Sequence, residues 1–444
     1  MGVIKSLSLS PARFLAAGFA LMIVLGTVLL SLPFATVNGQ ISIIDALFTA
    51  TSAVCVTGLV VVDTGSYFTV SGQLVIMFLI LGGALGFMTS ATLIFVLLGK
   101  NITLKDRLII KEALNMDSMQ GLVKLILAIG KMASITILSG VFLLGLRFIP
   151  QMGWEKGLLF SFFHAVSAFG NAGFDLFGNF RSLTGYAGDL LVSGTILLLF
   201  IFGGLGFTVI LDIFQHRKMS RFSLHTKLVL NFTAFLLLSG TLFFFFLEYN
   251  NPETLGSFSA GRKIFSSLFM AATPRTAGFN VVPIESLKPA TMFFMLILMF
   301  IGASPASTGG GVKTTTFLLI IGAVRSLLKG SGEVIFGEKR IPSNLIFKAL
   351  AIICLSIFLI FFVILAMTIL ENKPFLALTF EVFSAFGTVG LSTGITPELT
   401  AGGKILLIIT MYAGRLGPLT MLYALTRRSK ASGLRYPEER ILIG

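Results

Sequence analysis

Phe386-Gly387-Thr388-Val389-Gly390-Leu391 sets small and polar residues around a glycine, between two long apolar runs. Three related stretches lie upstream: Cys55-Val56-Thr57-Gly58-Leu59, Gly170-Asn171-Ala172-Gly173-Phe174 and Arg275-Thr276-Ala277-Gly278-Phe279. Their central glycines, 58, 173, 278 and 390, are separated by 115, 105 and 112 residues. Near-equal steps across a chain of 444 residues imply four repeats of one unit, and a four-sided arrangement about a common axis.

The composition says where such an axis stands. The chain is 55% hydrophobic and 12% charged, with a mean hydropathy of +0.96. Soluble domains carry about 25% charged residues, so this is an integral membrane protein. Its 45 Phe against one Trp and six Tyr predict sparse Trp/Tyr anchoring at the membrane surfaces. Cys55 and Cys354 form no metal or disulfide pattern, and His164, His216 and His225 have no zinc-type spacing. The net charge of +14 reads as topology: residues 1–13, 100–121, 215–227, 325–348 and 427–444 hold 20 of the 33 Lys and Arg. The positive-inside rule places these segments, and both termini, in the cytoplasm. The first apolar run, 14–32, is long enough to span and shows no cleavage pattern, so it reads as the first spanning helix.

Each repeat predicts a spanning helix, a half-length helix, an irregular loop and a closing helix. The boundaries are 14–99, 122–214, 224–327 and 342–426, followed by a cytoplasmic tail over 427–444. The expected fold is all-α, with eight spanning helices and four re-entrant half-helices in pseudo-fourfold order around one pore. Single positions support the repeat. Six residues before each glycine stand Ser52, Ser167, Ala272 and Ser384; ten before stand Phe48, Phe163, Leu268 and Phe380. Gly83, Gly204, Gly302 and Gly414 follow downstream. Small residues that let helices approach closely explain these downstream glycines equally well. That explanation fits the polar loops poorly, since each is preceded by a half-span segment.

Irregular backbone at membrane depth is tolerated only where it is buried in protein or lines water. Four such loops therefore share a wet axis. Glycine reaches positive φ and turns carbonyls toward it, and carbonyl oxygens suit alkali cations. The hydroxyls of Thr57, Thr276 and Thr388 and the amide of Asn171 either add ligands or brace the loops. No carboxylate ring is present, which argues against a calcium-type filter. Thr388-Val389-Gly390 opens the potassium-channel filter motif without its following Tyr-Gly, so a short filter with few ion sites is expected. Arg275 is discordant beside a cation path. It either caps the half-helix, pairs with a carboxylate behind the loop, or tunes ion occupancy.

The third closing helix carries Gly302-Ala303-Ser304-Pro305-Ala306-Ser307-Thr308-Gly309-Gly310-Gly311, a run that breaks a helix. It reads as a mobile gate beneath the loops, with a static kink as the alternative; the other repeats lack such a run. Arg415 lies within the last closing helix, where an ionisable residue is a functional candidate. It either bonds carbonyls of the broken loop as an electrostatic barrier or snorkels to an interface. Lys313 ends the broken run, with a lipid or a loop group as its partner.

On Val56-Thr57-Gly58-Leu59 with Val61-Val62-Asp63-Thr64-Gly65, Asn171-Ala172-Gly173-Phe174, Thr273-Pro274-Arg275-Thr276-Ala277-Gly278-Phe279-Asn280, the stretch 386–391, Gly203-Gly204-Leu205-Gly206-Phe207 and Leu434-Arg435-Tyr436-Pro437, the chain resembles the Trk/Ktr/HKT superfamily of potassium transporters. Within it, the chain is similar to the membrane subunit of bacterial Ktr systems. The resemblance implies K⁺ as the transported ion, often with Na⁺ dependence. It implies a filter at Val56, Thr57, Gly58, Asn171, Ala172, Gly173, Thr276, Ala277, Gly278, Thr388, Val389 and Gly390. It matches the gating loop to 302–313 and the family's last-helix arginine to Arg415. It further implies a homodimer in the bacterial plasma membrane, resting on a cytoplasmic ring of nucleotide-binding (RCK/KTN-type) regulatory subunits, with no cofactor in this chain. The absence of an appended nucleotide-binding domain and of two extra N-terminal helices favours a Ktr-type subunit. Two departures are Gly82-Gly83-Ala84-Leu85-Gly86-Phe87 in the first closing helix and the proline with a glycine triplet at 304–311.

Three other readings compete. A subunit of an ATP-driven potassium pump shares the four-repeat plan but not the compact eight-span layout. A secondary carrier typically shows inverted repeats, whereas these units run in one direction. An enzyme lacks a catalytic constellation here.

Overall fold

A computed structural model describes residues 11–86, 89–90, 92–93, 122–425, 437, 439 and 441–442. Most of the basic segments 1–13, 100–121 and 427–444 lie outside the described residues. Four helices set the frame, and their length follows from uninterrupted apolar sequence. These are α1 (Pro11–Ser31), followed in repeat 1 by α2 (Ile43–Val54) and α3 (Val70–Leu85); α4 (Leu122–Met152), followed by α5 (Trp154–Gly170), α6 (Leu190–Leu205) and α7 (Phe207–His216); α8 (Leu224–Glu248), followed by α9 (Ala260–Ala272), α10 (Pro289–Phe300) and α11 (Thr314–Leu328); and α12 (Ser343–Leu370), followed by α13 (Phe375–Gly387), α14 (Ala401–Leu416) and α15 (Pro418–Leu425). With 21 to 31 residues, α1, α4, α8 and α12 reach the ~30 Å needed to span at about 1.5 Å per residue. With 12 or 13 residues, α2, α9 and α13 cover about two thirds of that depth.

Side chains sort by depth from the axis. Leu25, Phe142, Phe246 and Phe361 on the long helices are exposed, as a lipid-facing shell requires. The half-helices are buried, including their serines and threonines Thr51, Ser52, Ser167, Ser266 and Ser384. Apolar burial gives little drive in lipid, so close packing must hold the bundle. Each closing helix packs on the half-helix of the next repeat: α3 on α5, α6 on α9, α10 on α13 and α14 on α2. Lys404 on α14 reaches Asp45 on α2 at 2.7 Å and closes the circle from repeat 4 to repeat 1.

The closing helices of repeats 2 and 4 are bent within the expected four-repeat plan. Alone among the described residues, α1, α4, α8 and α12 are long and apolar enough to cross. The closing helices expected over 190–214 and 404–425 are each bent into two segments, and the first is helical over Val70–Leu85. A single left-handed glycine ends each of α3, α6 and α14: Gly86 (φ 81), Gly206 (φ 97) and Gly417 (φ 84). The chain turns by 95° between α6 and α7 and by 97° between α14 and α15. One glycine in that conformation suffices to redirect a helix.

The downstream glycines serve close approach. A Cβ on Gly83, Gly203 or Gly414 would collide with the carbonyl of Val54, Phe169 or Phe386 at the end of the half-helix of the same repeat. The structural equivalent in repeat 2 is therefore Gly203, not Gly204. In repeat 3, Gly302 instead meets the carbonyl of Gly310 within its own loop.

Candidate functional site: a ring of four glycine loops and the strand beneath it

Beyond each half-helix the backbone repeats one unusual conformation. The glycines have positive φ: Gly58 (92), Gly173 (68), Gly278 (78) and Gly390 (91). So do the residues two before them, none of them glycine: Val56 (57), Asn171 (58), Thr276 (75) and Thr388 (50). The residue between stays in the ordinary half of φ space. Alternation between positive and negative φ is found in neither a regular strand nor a regular helix. Left-handed Val56 is strained, since its β-branch crowds the backbone. Sequence reading assigned this freedom to the glycines and missed the second left-handed position.

The four loops close in chain order. A Cβ built on Gly58 would lie 3.0 Å from the Cα of Gly173; on Gly173, 2.8 Å from Gly278; on Gly278, 3.4 Å from Gly390; and on Gly390, 3.0 Å from Gly58. Each glycine therefore abuts the next, and repeats 1 and 3, like 2 and 4, stand opposite each other. The half-helices end at this ring, so the negative ends of their dipoles converge on it.

The last turn of each half-helix holds its loop. Ser52 Oγ accepts Gly58 N at 3.0 Å, and Ser384 Oγ accepts Gly390 N at 3.1 Å. Ser167 Oγ donates to Phe174 O at 2.7 Å. In repeat 3 this work falls to Thr273, which donates to Phe279 O at 2.5 Å, and not to the small residue Ala272. The backbone agrees: Thr57, Ala172 and Val389 bond five residues back, to Ser52, Ser167 and Ser384, whereas Ala277 bonds four back, to Thr273. The third loop is one residue shorter. For the same reason Phe269, not Leu268, fills the buried place of Phe48, Phe163 and Phe380.

Residues 301–313 pass directly beneath the ring. Asn171 Nδ2 donates to Thr276 Oγ1 at 3.2 Å, and Asn171 Oδ1 accepts from Thr308 Oγ1 at 3.0 Å. Gly310 N donates to Thr388 Oγ1 at 3.1 Å. Of the predicted oxygen ligands, Asn171, Thr276 and Thr388 therefore brace the loops, while the buried Thr57 Oγ1 has no hydrogen-bond partner among the described residues. Glycine is required here, because a Cβ on Gly309 or Gly310 would drive into the hydroxyl of Thr276 or Thr388. The strand is fastened to repeat 2 as well: Ser304 N donates to Gly204 O (3.1 Å), Thr308 N to Gly203 O (3.2 Å), and Phe207 N to Ala306 O (2.7 Å). At its base Gly302 N donates to Val312 O at 2.9 Å.

Arg415 meets this strand from the opposite side. It donates to the carbonyls of Thr308 and Gly83, and to Ala84 O at 3.4 Å. Gly83 O also accepts the N–H of the cap residue Gly86 at 3.2 Å, so the guanidinium adds to the capping of the end of α3. Lys313 Nζ donates to Gly309 O at 2.6 Å, a loop group. On the side away from the ring lies a cavity of about 340 Å³ lined by Lys313, Lys348 and Arg415, with no Asp or Glu in its lining.

Among the described residues, the Arg275 side chain makes neither the cap nor the carboxylate pair foreseen for it. It is buried behind the third loop, its nearest acceptor is Thr233 Oγ1 at 3.4 Å, and its Nε has no partner. It pairs with no carboxylate among the described residues. Two residues escaped sequence reading, His164 and Glu381, both fully buried on half-helices. A carboxylate within an apolar membrane helix was the available signal for Glu381.

Comparison with known proteins agrees with this architecture. The TrkH family of cation transport proteins matches residues 17–432. The Ktr system potassium uptake protein B of Bacillus subtilis (strain 168) is 48% identical, aligned over 100% of this chain and 98% of the relative. The potassium/sodium uptake protein NtpJ of Enterococcus hirae is 39% identical over 98% of each chain. The crystal structure of the potassium transporter TrkH from Vibrio parahaemolyticus shares the fold, with a TM-score of 0.70 at 19% identity, covering 96% of this chain and 87% of that one.

Proposed function

The chain belongs to the TrkH family of cation transport proteins, and from that premise we propose that it is the ion-translocating subunit of a bacterial potassium uptake system of the Ktr type. It is a transporter, not an enzyme. Val56-Thr57-Gly58, Asn171-Ala172-Gly173, Thr276-Ala277-Gly278 and Thr388-Val389-Gly390 form the filter, and their carbonyls replace the water shell of K⁺. The observation that supports this most strongly is the closed ring of glycines with its paired left-handed residues.

The strand from Gly302 to Gly311, with Lys313 and Arg415, is the gate. It blocks the axis beneath the ring, and the cationic lining below it repels an entering cation. Opening requires the contacts of Thr308 and Gly310 to part, which a cytoplasmic nucleotide-binding ring can drive. The name of the Bacillus relative, protein B of a Ktr system, supports a partner subunit. Sodium as a coupling or second transported ion is supported by the name of the Enterococcus relative. The clustering of Lys and Arg in the basic segments supports a cytoplasmic position for both termini, and we take a homodimer in the plasma membrane as the working unit.

The test is ion flux through the full chain in vesicles, with K⁺ exchanged for Na⁺. At Gly278 a Cβ would come within 2.7 Å of both Gly173 Cα and Val389 O, at φ 78. Gly278→Ser is expected to lower K⁺ over Na⁺ discrimination about tenfold or more, equivalent to about 1.4 kcal/mol between the ions. Unchanged discrimination in a folded variant removes the filter assignment.

A further inference from the structure

Repeats 2 and 4 carry a second brace that repeats 1 and 3 lack. His164 lies one turn before Ser167, and its Nε2 accepts the N–H of Leu176, three residues beyond Gly173, at 3.3 Å. Glu381 lies one turn before Ser384, and its Oε1 accepts the N–H of Thr393, three residues beyond Gly390, at 2.9 Å. The same backbone group is thus caught by the same helical position in two quarters that face each other across the ring. The equivalent residues elsewhere are Thr49, whose hydroxyl turns back to Asp45 O at 2.8 Å, and the apolar Met270.

The two braces differ in charge. His164 Nδ1 is 2.7 Å from Phe160 O, and a carbonyl only accepts, so Nδ1 holds the proton. With Nε2 accepting from Leu176, the imidazole is neutral. Glu381 is fully buried. Its Oε1 also receives Ser392 Oγ (2.8 Å) and Thr393 Oγ1 (3.1 Å), and its Oε2 receives Thr396 Oγ1 (2.7 Å). An ionised carboxylate, which only accepts, satisfies all four donors. Among the described residues Glu381 forms no ion pair. A buried charge without a counter-charge is strongly disfavoured, and the available counter-charge is a cation in the ring.

Resting on the reading of the ring as a potassium filter, we propose that Glu381 is a positioning residue whose charge is balanced by the bound cation. Repeat 4 then sets cation affinity asymmetrically, while His164 holds the opposite loop without contributing charge. Hydroxyl and amide donors fix the carboxylate behind the loop, so its field acts on the filter without direct coordination.

The experiment measures K⁺ flux against concentration for the full chain in vesicles. Glu381→Gln keeps the shape and removes the charge. It is expected to raise the half-saturating K⁺ concentration roughly tenfold, the scale of one neighbouring charge inside a protein, with maximal flux within about twofold. Glu381→Asp keeps the charge and shortens the reach, so its half-saturation should stay within about twofold of the parent. His164→Gln should leave half-saturation unmoved. An unchanged value in Glu381→Gln overturns the proposal. Should that variant fail to fold, a tenfold rise in Glu381→Asp overturns it equally, because position alone would then be at work. Gly278→Ser in the same assay separates the premises. If it alters K⁺ over Na⁺ discrimination while Glu381→Gln changes nothing, only the charge inference falls; if it alters nothing, the filter reading falls first.

Discussion

In repeats 1, 2 and 4 the closing helix runs past the ring and breaks at one glycine, Gly86, Gly206 or Gly417. In repeat 3 the helix stops at Phe300, and residues 301–313 cross beneath the ring before helix resumes at Thr314. The four loops above are near-equivalent, yet the elements below them are not. A single glycine turns the chain and leaves hydrogen-bonded helix on one or both sides, so it is a fixed corner. The crossing strand has almost no regular structure of its own. It is held by contacts to other elements: Asn171, Thr388, Gly203, Gly204 and Arg415. The fold thus keeps near-fourfold order in the ring and confines the irregular crossing segment to one quarter.

The largest effect that can break this comparison is deletion of residues 306–311. Flux through the chain alone, without any partner, should rise at least about tenfold, since removing some 1.4 kcal/mol of barrier suffices for that. Flux that stays low means the strand is not the main barrier and repeat 3 is no different from the others. A smaller effect is expected from Arg415→Met, which removes the donors to Thr308, Gly83 and Ala84 but leaves the bonds to Thr388 and Gly204. Partner-free flux should increase several-fold, on the order of 1 kcal/mol, measured with the same vesicles. No increase would show that the guanidinium only satisfies carbonyls. Least should follow from Gly86→Ala. The site has open space around it, so the change brings backbone strain at φ 81 of about 1–3 kcal/mol and nothing else. Thermal unfolding in detergent should register the loss while flux holds. A flux change there would make the glycine corners gates too.

Several parts were legible because they depend only on near neighbours in the chain. The half-helices follow from apolar segments too short to span, and the broken third helix from Pro305 and the triplet Gly309–Gly311. Other parts required knowing what stands opposite. The shortened third loop is visible only when Thr273 is seen doing the work of Ser52, Ser167 and Ser384. Gly203 rather than Gly204 is set by the position of the Phe169 carbonyl. Arg275 looked like a neighbour of the ion and instead turns outward to Thr233, because direction along a loop is decided by φ and ψ.

The sequence by itself determined that four units of one plan lie in a membrane, each offering a glycine where backbone can turn inward. Periodicity, hydropathy and glycine placement are local properties, and they survive without a partner. Only the tertiary structure decided that the glycines close in chain order, that Val56, Asn171, Thr276 and Thr388 are left-handed beside them, and that Thr308 and Gly310 seal the ring from below. The contacts from below join residues 78 and 137 positions apart, and the ring closes Gly390 onto Gly58 across 332 positions. The strained conformations persist because neighbouring repeats leave the backbone no other place to go.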